Sequence, residues 1–436
     1  MRHASQVSSA ALARGFVLVV ALVAPACAGP TEDGAAESGG TTAAGVETGS
    51  AEVWASGAST AETSTSGTCD EPSDDDGPGH DLPPHTVSPC DGLAAPSTWE
   101  DITPPLVELP DAAPCAYGGA FAMNPQDPST VWLGTCNQGV WKTSDCGASW
   151  THVDTGTNGD VLDAGRQWTF AIDPSDPDVL YTNSGYGVFS NGALKSVDGG
   201  VNWSVIWPPA QPELQGVVQY DFVASVVMDP DDPEHLLLTF HAECGAGHSE
   251  ACFGRSFDGG ETWMLVDGEP QWVGGEGQFV YFLDGRETWL WGSQSNGLWR
   301  TDDAGATWTA VTDDQAQGHG AGQMYRAVDG TFYLPVLAGI LRSPDGITWT
   351  AVPDSGSIMS GLTGNGVTMW ASRGFPWDPS DDLYEPFWTS AEDDGLTWTQ
   401  FASPMLSNGG QLAYDADHHL LYSSNGGEGL WRVVVE

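Results

Sequence analysis

Asp221 and Glu276 are the two acids of this chain whose positions best suit acid–base chemistry. Each stands just before a run of apolar and aromatic residues, so each is predicted to open a β-strand. Hydrolysis of a glycosidic bond uses two carboxyl groups, about 5 to 5.5 Å apart for retention of configuration and about 6.5 to 9.5 Å apart for inversion. The pair therefore predicts a glycoside hydrolase site. Because the chain holds 59 acidic residues, a merely solvated role for each acid is the alternative.

A second chemistry is available to His241, which leaves a predicted strand and enters a long loop. An imidazole base and a phenol acid can carry out β-elimination on a polysaccharide when an arginine neutralises the uronate carboxylate. Tyr220 or Tyr325 would be the acid, and His319 is the other candidate base. These residues predict a polysaccharide lyase as the alternative enzyme.

No metal centre or organic cofactor is predicted. His241, Glu243 and His248 lie close together in the sequence, but their spacing is not that of a known closed metal site. A structural calcium ion is the one option that this interpretation retains.

The side chains expected to bind a ligand are of the kinds that recognise sugars. Sugars offer CH faces, which stack on aromatic rings, and hydroxyl groups, which bond to amide, acid and guanidinium groups. The alternative for each aromatic residue is packing between sheets. The predicted ligand-binding residues are Arg166, Trp168, His319, Gln323, Arg326, Arg373, Trp377 and Tyr384.

A repeated phrase, Ser/Thr-x-Asp-x-Gly-x-x-Trp, defines the elements that must position these residues. Complete copies occupy residues 143–150, 196–203, 256–263 and 301–308. Two degenerate copies follow: residues 343–349 lack one position, and residues 391–398 begin with alanine. The side chain of an aspartate in such a turn can accept hydrogen bonds from turn amides, which predicts a structural role. The box aspartates are Asp145, Asp198, Asp258, Asp303, Asp345 and Asp393.

The box recurs within a larger unit that predicts a β-propeller. Each unit has two apolar runs separated by a polar turn, then a third run, the box and another β-prone stretch, which indicates four antiparallel strands. Three more strands follow the sixth box, and residues 97–103 resemble the exit of a box. We therefore predict an all-β, seven-bladed propeller of four-stranded blades, closed by an N-terminal strand near Trp99 that joins the C-terminal blade.

The propeller topology predicts where the candidate residues meet. Loops between the second and third strands of each blade, together with the connections between blades, lie on one face, which we call the loop face. The box turns lie on the opposite face, the box face. All the candidate catalytic and ligand-binding residues, including Tyr325 and Arg326, are predicted on the loop face.

The N-terminal part of the chain predicts export. Residues 1–26 contain arginines, an apolar stretch and a small-residue cleavage site, as in an export signal. Cys27 follows that site, so either a lipid anchor on Cys27 or free secretion is expected. Residues 27–95 are acidic and rich in Gly, Ser and Thr, which predicts a disordered tether, and residues 96–436 form the propeller. The predicted location is extracellular or at the cell surface.

The charge of the chain limits its partners. A formal net charge of -47, with 12 Lys and Arg residues in all, excludes nucleic acid as a plausible partner, because phosphate binding requires cationic side chains. We expect a monomer whose partner is a poly- or oligosaccharide.

Eight cysteines fit an oxidising compartment. With Cys27 set aside, the simplest pairing joins Cys69 to Cys90, Cys115 to Cys136 and Cys244 to Cys252. Cys146, which lies inside the first box, would then be the spare thiol.

The boxes and their Asp-Pro turns resemble the Asp-box (BNR) propellers, which include sialidases, xyloglucan-degrading glycoside hydrolases, the sortilin ectodomain and a photosystem assembly factor. The resemblance covers about residues 97–436. It implies an enzyme, a receptor or a chaperone. The Arg-Ile-Pro phrase that sialidases share is absent. The resemblance to the xyloglucan enzymes implies a catalytic Asp in the loop at residues 135–139, but this loop reads Thr-Cys-Asn-Gln-Gly.

The sequence thus favours an exported, surface-tethered propeller that recognises a glycan on its loop face. As an enzyme it would be a glycoside hydrolase or a uronate-specific lyase. The alternative is a non-catalytic scaffold for protein interaction or assembly.

Overall fold

The structure, a computed structural model, describes residues 88–109, 119–186, 192–274, 277–293, 295–312, 323–374, 386–405 and 410–435. Seven four-stranded antiparallel sheets form the blades of a β-propeller, as predicted. The predicted export signal, Cys27 and most of the predicted tether lie outside the described residues. No helix within the described ranges is long and apolar enough to cross a membrane.

The strands follow one another in the order expected of blades. The first strand, β1 (Trp99–Asp101), belongs to the last blade. Blade one comprises β2 (Phe121–Met123), β3 (Val131–Gly134), β4 (Val140–Thr143) and β5 (Thr151–His152), and blade two comprises β6 (Phe170–Ile172), β7 (Leu180–Ser184), β8 (Gly192–Ser196) and β9 (Ser204–Trp207). Blade three comprises β10 (Val223–Asp229), β11 (Asp232–Phe240), β12 (Cys252–Ser256) and β13 (Met264–Asp267), and blade four comprises β14 (Phe279–Phe282), β15 (Trp289–Ser293), β16 (Gly297–Thr301) and β17 (Thr309–Thr312).

The remaining blades complete the ring. Blade five comprises β18 (Tyr325–Arg326), β19 (Phe332–Val336), β20 (Gly339–Ser343) and β21 (Thr350–Ala351). Blade six comprises β22 (Met359–Gly364), β23 (Thr368–Arg373), β24 (Phe387–Ala391) and β25 (Thr399–Gln400). Blade seven comprises β26 (Leu412–Asp415), β27 (Leu420–Ser424) and β28 (Leu430–Val434), with β1 as its fourth strand. A short helix, α1 (Gly159–Asp163), connects blades one and two. Short 3₁₀ turns lie at Pro212–Leu214, Gln219–Asp221 and Gly426–Glu428.

The N-terminal strand pairs with the C-terminal one. In the antiparallel β1–β28 pair, Trp99 lies opposite Val433 and Glu100 opposite Arg432. The buried Arg432 guanidinium donates to the Glu100 carboxylate at 3.0 Å and to the Cys146 carbonyl, in blade one, at 2.7 Å. A strand from the start of the described chain thus completes blade seven, and one arginine links that blade to blade one.

Apolar side chains between neighbouring blades form the core. Trp132 of blade one packs with Leu180 and Trp203 of blade two, and all three are almost fully buried. Between blades three and four, Trp272 stacks on Trp291 with a centroid separation of 3.6 Å. Burying each such side chain stabilises the fold by about 1.5 to 3 kcal/mol, so the interfaces between blades hold the ring together.

The box turns show why the repeated phrase requires its residue types. In blade two, the Asp198 carboxylate accepts hydrogen bonds from the Ser196 hydroxyl and the Asn202 amide, both at 2.9 Å. The Ser196 hydroxyl in turn accepts the amide of Gly200 at 3.0 Å. Gly200 has a φ of 98°, where a side chain would be strained, and its carbonyl accepts the indole of Trp203 at 2.9 Å. The same Asp contacts recur at Asp145, Asp258, Asp303 and Asp345.

Blade six departs from the predicted pattern, because its turn uses Asp394 and not Asp393. The Asp394 carboxylate accepts the amide of Thr397 at 2.8 Å. Residues 394–398 read Asp-Gly-x-Thr-Trp, as residues 345–349 do in blade five, so the last two boxes share one shorter form. In both, the Trp indole donates to the carbonyl of the Gly that follows the Asp.

The disulfides correct two of the predicted cysteine assignments. Cys90 pairs with Cys146, so the predicted Cys69–Cys90 pair is wrong and Cys146 is not a spare thiol. The segment that precedes β1 packs on the box face, where His418 bonds to the Ser88 carbonyl at 2.7 Å, and this brings Cys90 to the first box. The Cys244–Cys252 disulfide is confirmed. Cys136 is disulfide-bonded, and Cys115 and Cys69 lie outside the described residues.

The propeller begins before residue 96, where the sequence placed its boundary. The Ser88 hydroxyl donates to Asp127 at 2.9 Å, and Cys90 and Leu93 pack against the hydrophobic core of blades seven and one. The last residues assigned to the tether are therefore part of the folded unit.

We predict that Asp394→Ala lowers the thermal unfolding midpoint. The matched variant Asp393→Ala should change the free energy of unfolding by about 0.5 kcal/mol or less, as exposed substitutions usually do. The side chain and amide of Thr397 lower the pKa of Asp394. Because the pKa of Asp394 is lower in the folded protein than its unfolded value of 3.8, the ionised carboxylate stabilises the fold at pH values above that unfolded pKa. This stabilisation is lost as the pH falls through the pKa of Asp394 in the folded protein.

The deficit of the Asp394→Ala variant should accordingly shrink below about pH 4, and calorimetry of both variants between neutral and acidic pH measures it. An equal loss in the two variants would contradict the assignment of Asp394.

Candidate functional site

The loop face carries a group of ring side chains at the junction of blades two and three. We call this group the aromatic patch; it consists of Trp168, Tyr186, Phe222 and His241, with Arg166 beside them. Ring centroids lie 4.8 Å apart for Tyr186–Phe222 and for Phe222–His241, and 5.4 Å apart for Trp168–Tyr186. The Arg166 guanidinium lies 4.6 Å from the centroid of Tyr186. Two predicted ligand-binding residues and one predicted catalytic residue thus meet there.

Backbone and amide contacts hold the aromatic patch in place. The buried Asn183 side chain accepts the amide of Trp168 and donates to the Val223 carbonyl, each at 2.8 Å, so it joins blade two to blade three. Arg166 forms bridges with Cys136 and Gly185 through its backbone. A Cβ atom on Gly185 would lie 2.8 Å from the ring of Phe222, so only glycine leaves room for that ring.

The aromatic patch is open to solvent on one side. Tyr186 is 47% exposed, Trp168 and His241 are half-buried, and Phe222 is buried beneath them. The Tyr186 hydroxyl and the Nε2 atom of His241 lie 3.2 Å apart, within hydrogen-bond distance. A phenol and an imidazole therefore face solvent as a pair, next to an arginine.

Tyr220 and Asp221 precede the first strand of blade three in a strained conformation. Their φ values are 61° and 50°, in the left-handed region that costs a non-glycine residue energy. Backbone bonds from Gln219 to the Glu243 carbonyl and from His241 to the Phe222 carbonyl hold the segment from both sides. Tyr220 is 73% exposed, so its ring projects from the loop face.

The Asp221 carboxyl combines two features of a proton donor. Its Oδ1 atom is buried and has no hydrogen-bond partner among the described residues. Burial raises the pKa of Asp221, which keeps the carboxyl protonated at higher pH than an ordinary aspartate. Its predicted partner Glu276 lies outside the described residues, so the structure gives no separation for the predicted pair.

Several predicted residues cannot be placed. His319, Trp377 and Tyr384 also lie outside the described residues. Arg373 ends the second strand of blade six, and its amide donates to the Pro386 carbonyl at 2.7 Å, so it lies on the loop face as predicted but in another blade from the aromatic patch.

Tyr325 is not on the loop face, so its predicted role as a catalytic acid is wrong. Its hydroxyl donates at 3.0 Å to the buried Glu392 carboxylate in the box turn of blade six. Glu392 also accepts the amides of Val328 and Gly366, which belong to turns on the box face. Burial and the Glu392 carboxylate raise the pKa of the Tyr325 phenol, which makes it a poorer acid.

Arg326 and Gln323 have structural partners. Arg326 pairs with Asp284 at 3.0 Å in the first turn of blade four, on the box face, so its predicted place on the loop face is wrong. In the β18–β19 pair, Tyr325 lies opposite Tyr333 and Arg326 opposite Phe332, so both residues lie next to the turn that joins these strands on the box face. The side-chain Oε1 atom of Gln323 accepts the amide of Leu412 at 2.7 Å, which ties blade five to blade seven.

The sequence analysis missed a second group of polar side chains, at the outer edge of blade one. The Nε2 atom of His152 lies 2.7 Å from the Asp154 carboxylate and 3.1 Å from that of Asp163. Burial raises the pKa of Asp154 to about 6. The sequence signal was the His-Val-Asp run at residues 152–154, but Asp163 joins it only because α1 folds back over the strand.

A small cavity lies between blades seven and one on the loop face. Its volume is about 40 Å³, and its walls include Leu133, Gln138 and Leu430. This space is large enough for one or more water molecules.

No protein-family model matches the chain. The chain is 25% identical to a xyloglucanase from Hypocrea jecorina over 53% of its own length and 32% of that protein. It is 28% identical to a xyloglucanase from Paenibacillus sp. over 47% of its length and 22% of that protein. The chain thus spans a third or less of these relatives.

The solved structures support the fold. The GH74 xyloglucanase from Xanthomonas campestris superimposes with a TM-score of 0.53 at 19% identity, covering 77% of this chain and 53% of that one.

We predict that Tyr325→Phe lowers the free energy of unfolding by about 1 to 3 kcal/mol, because the buried Glu392 carboxylate loses a donor. The matched variant Tyr414→Phe removes the exposed hydrogen bond to His419 and should change the free energy of unfolding by about 0.5 kcal/mol or less. Denaturant unfolding of both proteins measures the difference. Equal effects would contradict the structural role of Tyr325.

Proposed function

We propose that the protein is a carbohydrate-active propeller that binds a polysaccharide chain on its loop face and hydrolyses it with Asp221 as the proton donor. The observation that carries this proposal is the aromatic patch, with Tyr220 and Asp221 next to it in the chain. The similarity to xyloglucanases supports a neutral β-glucan such as xyloglucan as the first substrate to test.

The aromatic patch has the chemistry that binding of a sugar chain requires. Exposed ring faces on Tyr186 and Tyr220 can stack on the CH faces of successive sugar rings. The Tyr186 phenol and the half-buried His241 imidazole supply hydrogen-bonding groups at the edge of that surface, and the buried Arg166 guanidinium lies behind the Tyr186 ring. Because the Tyr186 ring packs on the buried Phe222 ring, little ordering of the Tyr186 side chain is needed on binding, which favours affinity.

Asp221 is suited to protonate a leaving sugar oxygen. A general acid must hold its proton near neutral pH, and burial raises the pKa of Asp221 in that direction. Its Oδ1 atom is buried and has no hydrogen-bond partner among the described residues, which disfavours the charged carboxylate and so favours the protonated acid. A second carboxylate would activate water or attack the sugar, and Glu276 is the residue that we propose for that role.

A uronate-specific lyase is the second candidate, and the Tyr186–His241 pair favours it. In β-elimination one group removes the proton at C5 while another protonates the departing oxygen at C4, which leaves a C4=C5 double bond. His241 and Tyr186 lie 3.2 Å apart, and the buried Arg166 guanidinium lies against the same tyrosine ring, where its positive charge would favour a uronate carboxylate nearby. Tyr186 then takes the place of Tyr220 as the phenol acid.

We predict that Tyr186→Ala weakens polysaccharide binding at least tenfold, whereas Phe257→Ala does not change it. Both residues are 47% exposed, but Phe257 lies in the third box, on the box face. Binding of xyloglucan and of a polyuronate is measured by affinity electrophoresis. Equal affinities of the two variants would contradict glycan binding at the aromatic patch.

We also predict that Asp221→Asn lowers the kcat for reducing-end release by about 10²- to 10⁴-fold, the usual contribution of general acid catalysis. The activity of the parent protein should fall as the pH rises through the raised pKa of Asp221, since the acid must be protonated. Asp267→Asn is the control, because Asp267 is a loop-face acid that bonds to His248.

In the same reaction mixtures, the absorbance of unsaturated uronate is monitored to detect lyase activity. New absorbance on polyuronates, without hydrolysis of neutral glycans, would replace the hydrolase by the lyase. If neither assay detects turnover but the polysaccharide still binds, the protein is a non-catalytic glycan-binding protein. If the polysaccharide does not bind either, the protein-interaction scaffold is favoured.

A further inference from the structure

We infer that His152, Asp154 and Asp163 form a binding site for a first-row divalent cation of the zinc type, at the outer edge of blade one. The three side chains come from the end of β5, from the residue two positions beyond it and from the last residue of α1. Their ligand atoms all lie within 4.8 Å of one another. One imidazole and two carboxylates are a donor set that zinc accepts.

The ligand atoms already converge on one point. The Nε2 atom of His152 is 2.7 Å from an Asp154 oxygen and 3.1 Å from an Asp163 oxygen. Oxygen and nitrogen ligands bound at about 2.0 to 2.2 Å from one tetrahedral zinc ion lie about 3.4 Å apart, so small side-chain shifts suffice. His152 is 32% and Asp163 47% exposed, so a cation could enter from solvent.

The second observation is the state of Asp154, whose side chain is completely buried. Its Oδ1 atom accepts the amide of Val140 at 3.1 Å, but its buried Oδ2 atom has no partner among the described residues. A buried carboxylate oxygen without a partner is costly, and a cation offsets that cost.

Gly139 shows where the Oδ2 atom points. A Cβ atom built on Gly139 would lie 2.5 Å from Asp154 Oδ2, 2.5 Å from Asp163 Oδ1 and 2.6 Å from His152 Nε2. The three atoms therefore face the same small space, which stays open because residue 139 has no side chain. The Gly139 φ of 68° also favours glycine there.

The donor set selects among cations. Calcium prefers six to eight oxygen ligands and magnesium a near-ideal octahedron of oxygens, so neither suits three ligands that include an imidazole. Zinc commonly takes three protein ligands and leaves a fourth position for water. The amide of Val140 orients Asp154, and Trp141 packs on His152 with ring centroids 5.1 Å apart, as outer contacts of metal ligands often do.

The site would connect separate parts of the loop face. It links the outer strand of blade one to α1, and α1 leads directly to Arg166 and Trp168. The other group of metal-ligating residue types in the described ranges, around Asp415 and His418, includes Cys90 and Cys146, whose sulfurs are joined in a disulfide. The inference is independent of the proposed glycan function, because it rests on blade one alone.

The test is zinc titration of the tag-free, chelator-treated full-length protein by calorimetry, with the metal content counted by mass spectrometry. We expect the protein to bind one zinc ion per chain, and a large excess of calcium or magnesium should not displace it. His152→Gln and Asp163→Asn should each weaken zinc binding at least tenfold. His248→Gln is the matched control, since His248 is 30% exposed and contacts one carboxylate, Asp267, at 2.9 Å.

Circular dichroism of the metal-free variants shows whether they fold, so that lost binding is not mistaken for unfolding. Zinc should raise the unfolding midpoint of the parent protein and of His248→Gln, but not that of His152→Gln. Stoichiometric zinc binding that persists in folded His152→Gln and Asp163→Asn would overturn the inference. Absence of zinc binding in the parent protein would overturn it as well.

Discussion

The hydrogen-bonded box turn is the local interaction on which the blades depend. One carboxylate accepts the turn amide and, in the complete copies, the opening hydroxyl, which itself holds the glycine amide. This network reverses the chain between the third and fourth strands and places the Trp of the box in the interface with a neighbouring blade. Where the hydroxyl is lost, in blade six, the Ala391 carbonyl accepts the amides of Asp394 and Gly395 instead, so the turn survives with a shifted aspartate.

Ring closure is the second constraint, and it acts over the whole molecule. Because β1 supplies the outer strand of blade seven, the chain must be held at both ends of the propeller. Arg432 bonds to Glu100 in β1 and to the Cys146 carbonyl in the first box, and the Cys90–Cys146 disulfide ties the preceding segment to the same box. Three kinds of contact therefore converge where the ring closes.

These constraints divide the work between the two faces. The box face uses its polar side chains to satisfy turns, as the Tyr325–Glu392 contact illustrates. The loop face carries the features that its own turns do not need: the aromatic patch, the strained Tyr220–Asp221 segment, and the unpartnered oxygens of Asp221 and Asp154. Strain and unsatisfied buried polar atoms persist only where the surrounding structure enforces them, which directs attention to this face.

The sequence by itself determined the number of blades, the identity of four strands in each, the closing strand near Trp99 and the Cys244–Cys252 loop, because all of these depend on local patterns that repeat. It also placed Arg166, Trp168 and His241 on one face through strand order alone. Only the tertiary structure decided which neighbours met. The Cys90–Cys146 bond joins segments 56 residues apart, the register of Tyr325 with Tyr333 places it beside a box-face turn, and Asp163 reaches His152 through the fold of α1. Such contacts depend on where separate segments are packed, and no spacing along the chain encodes that.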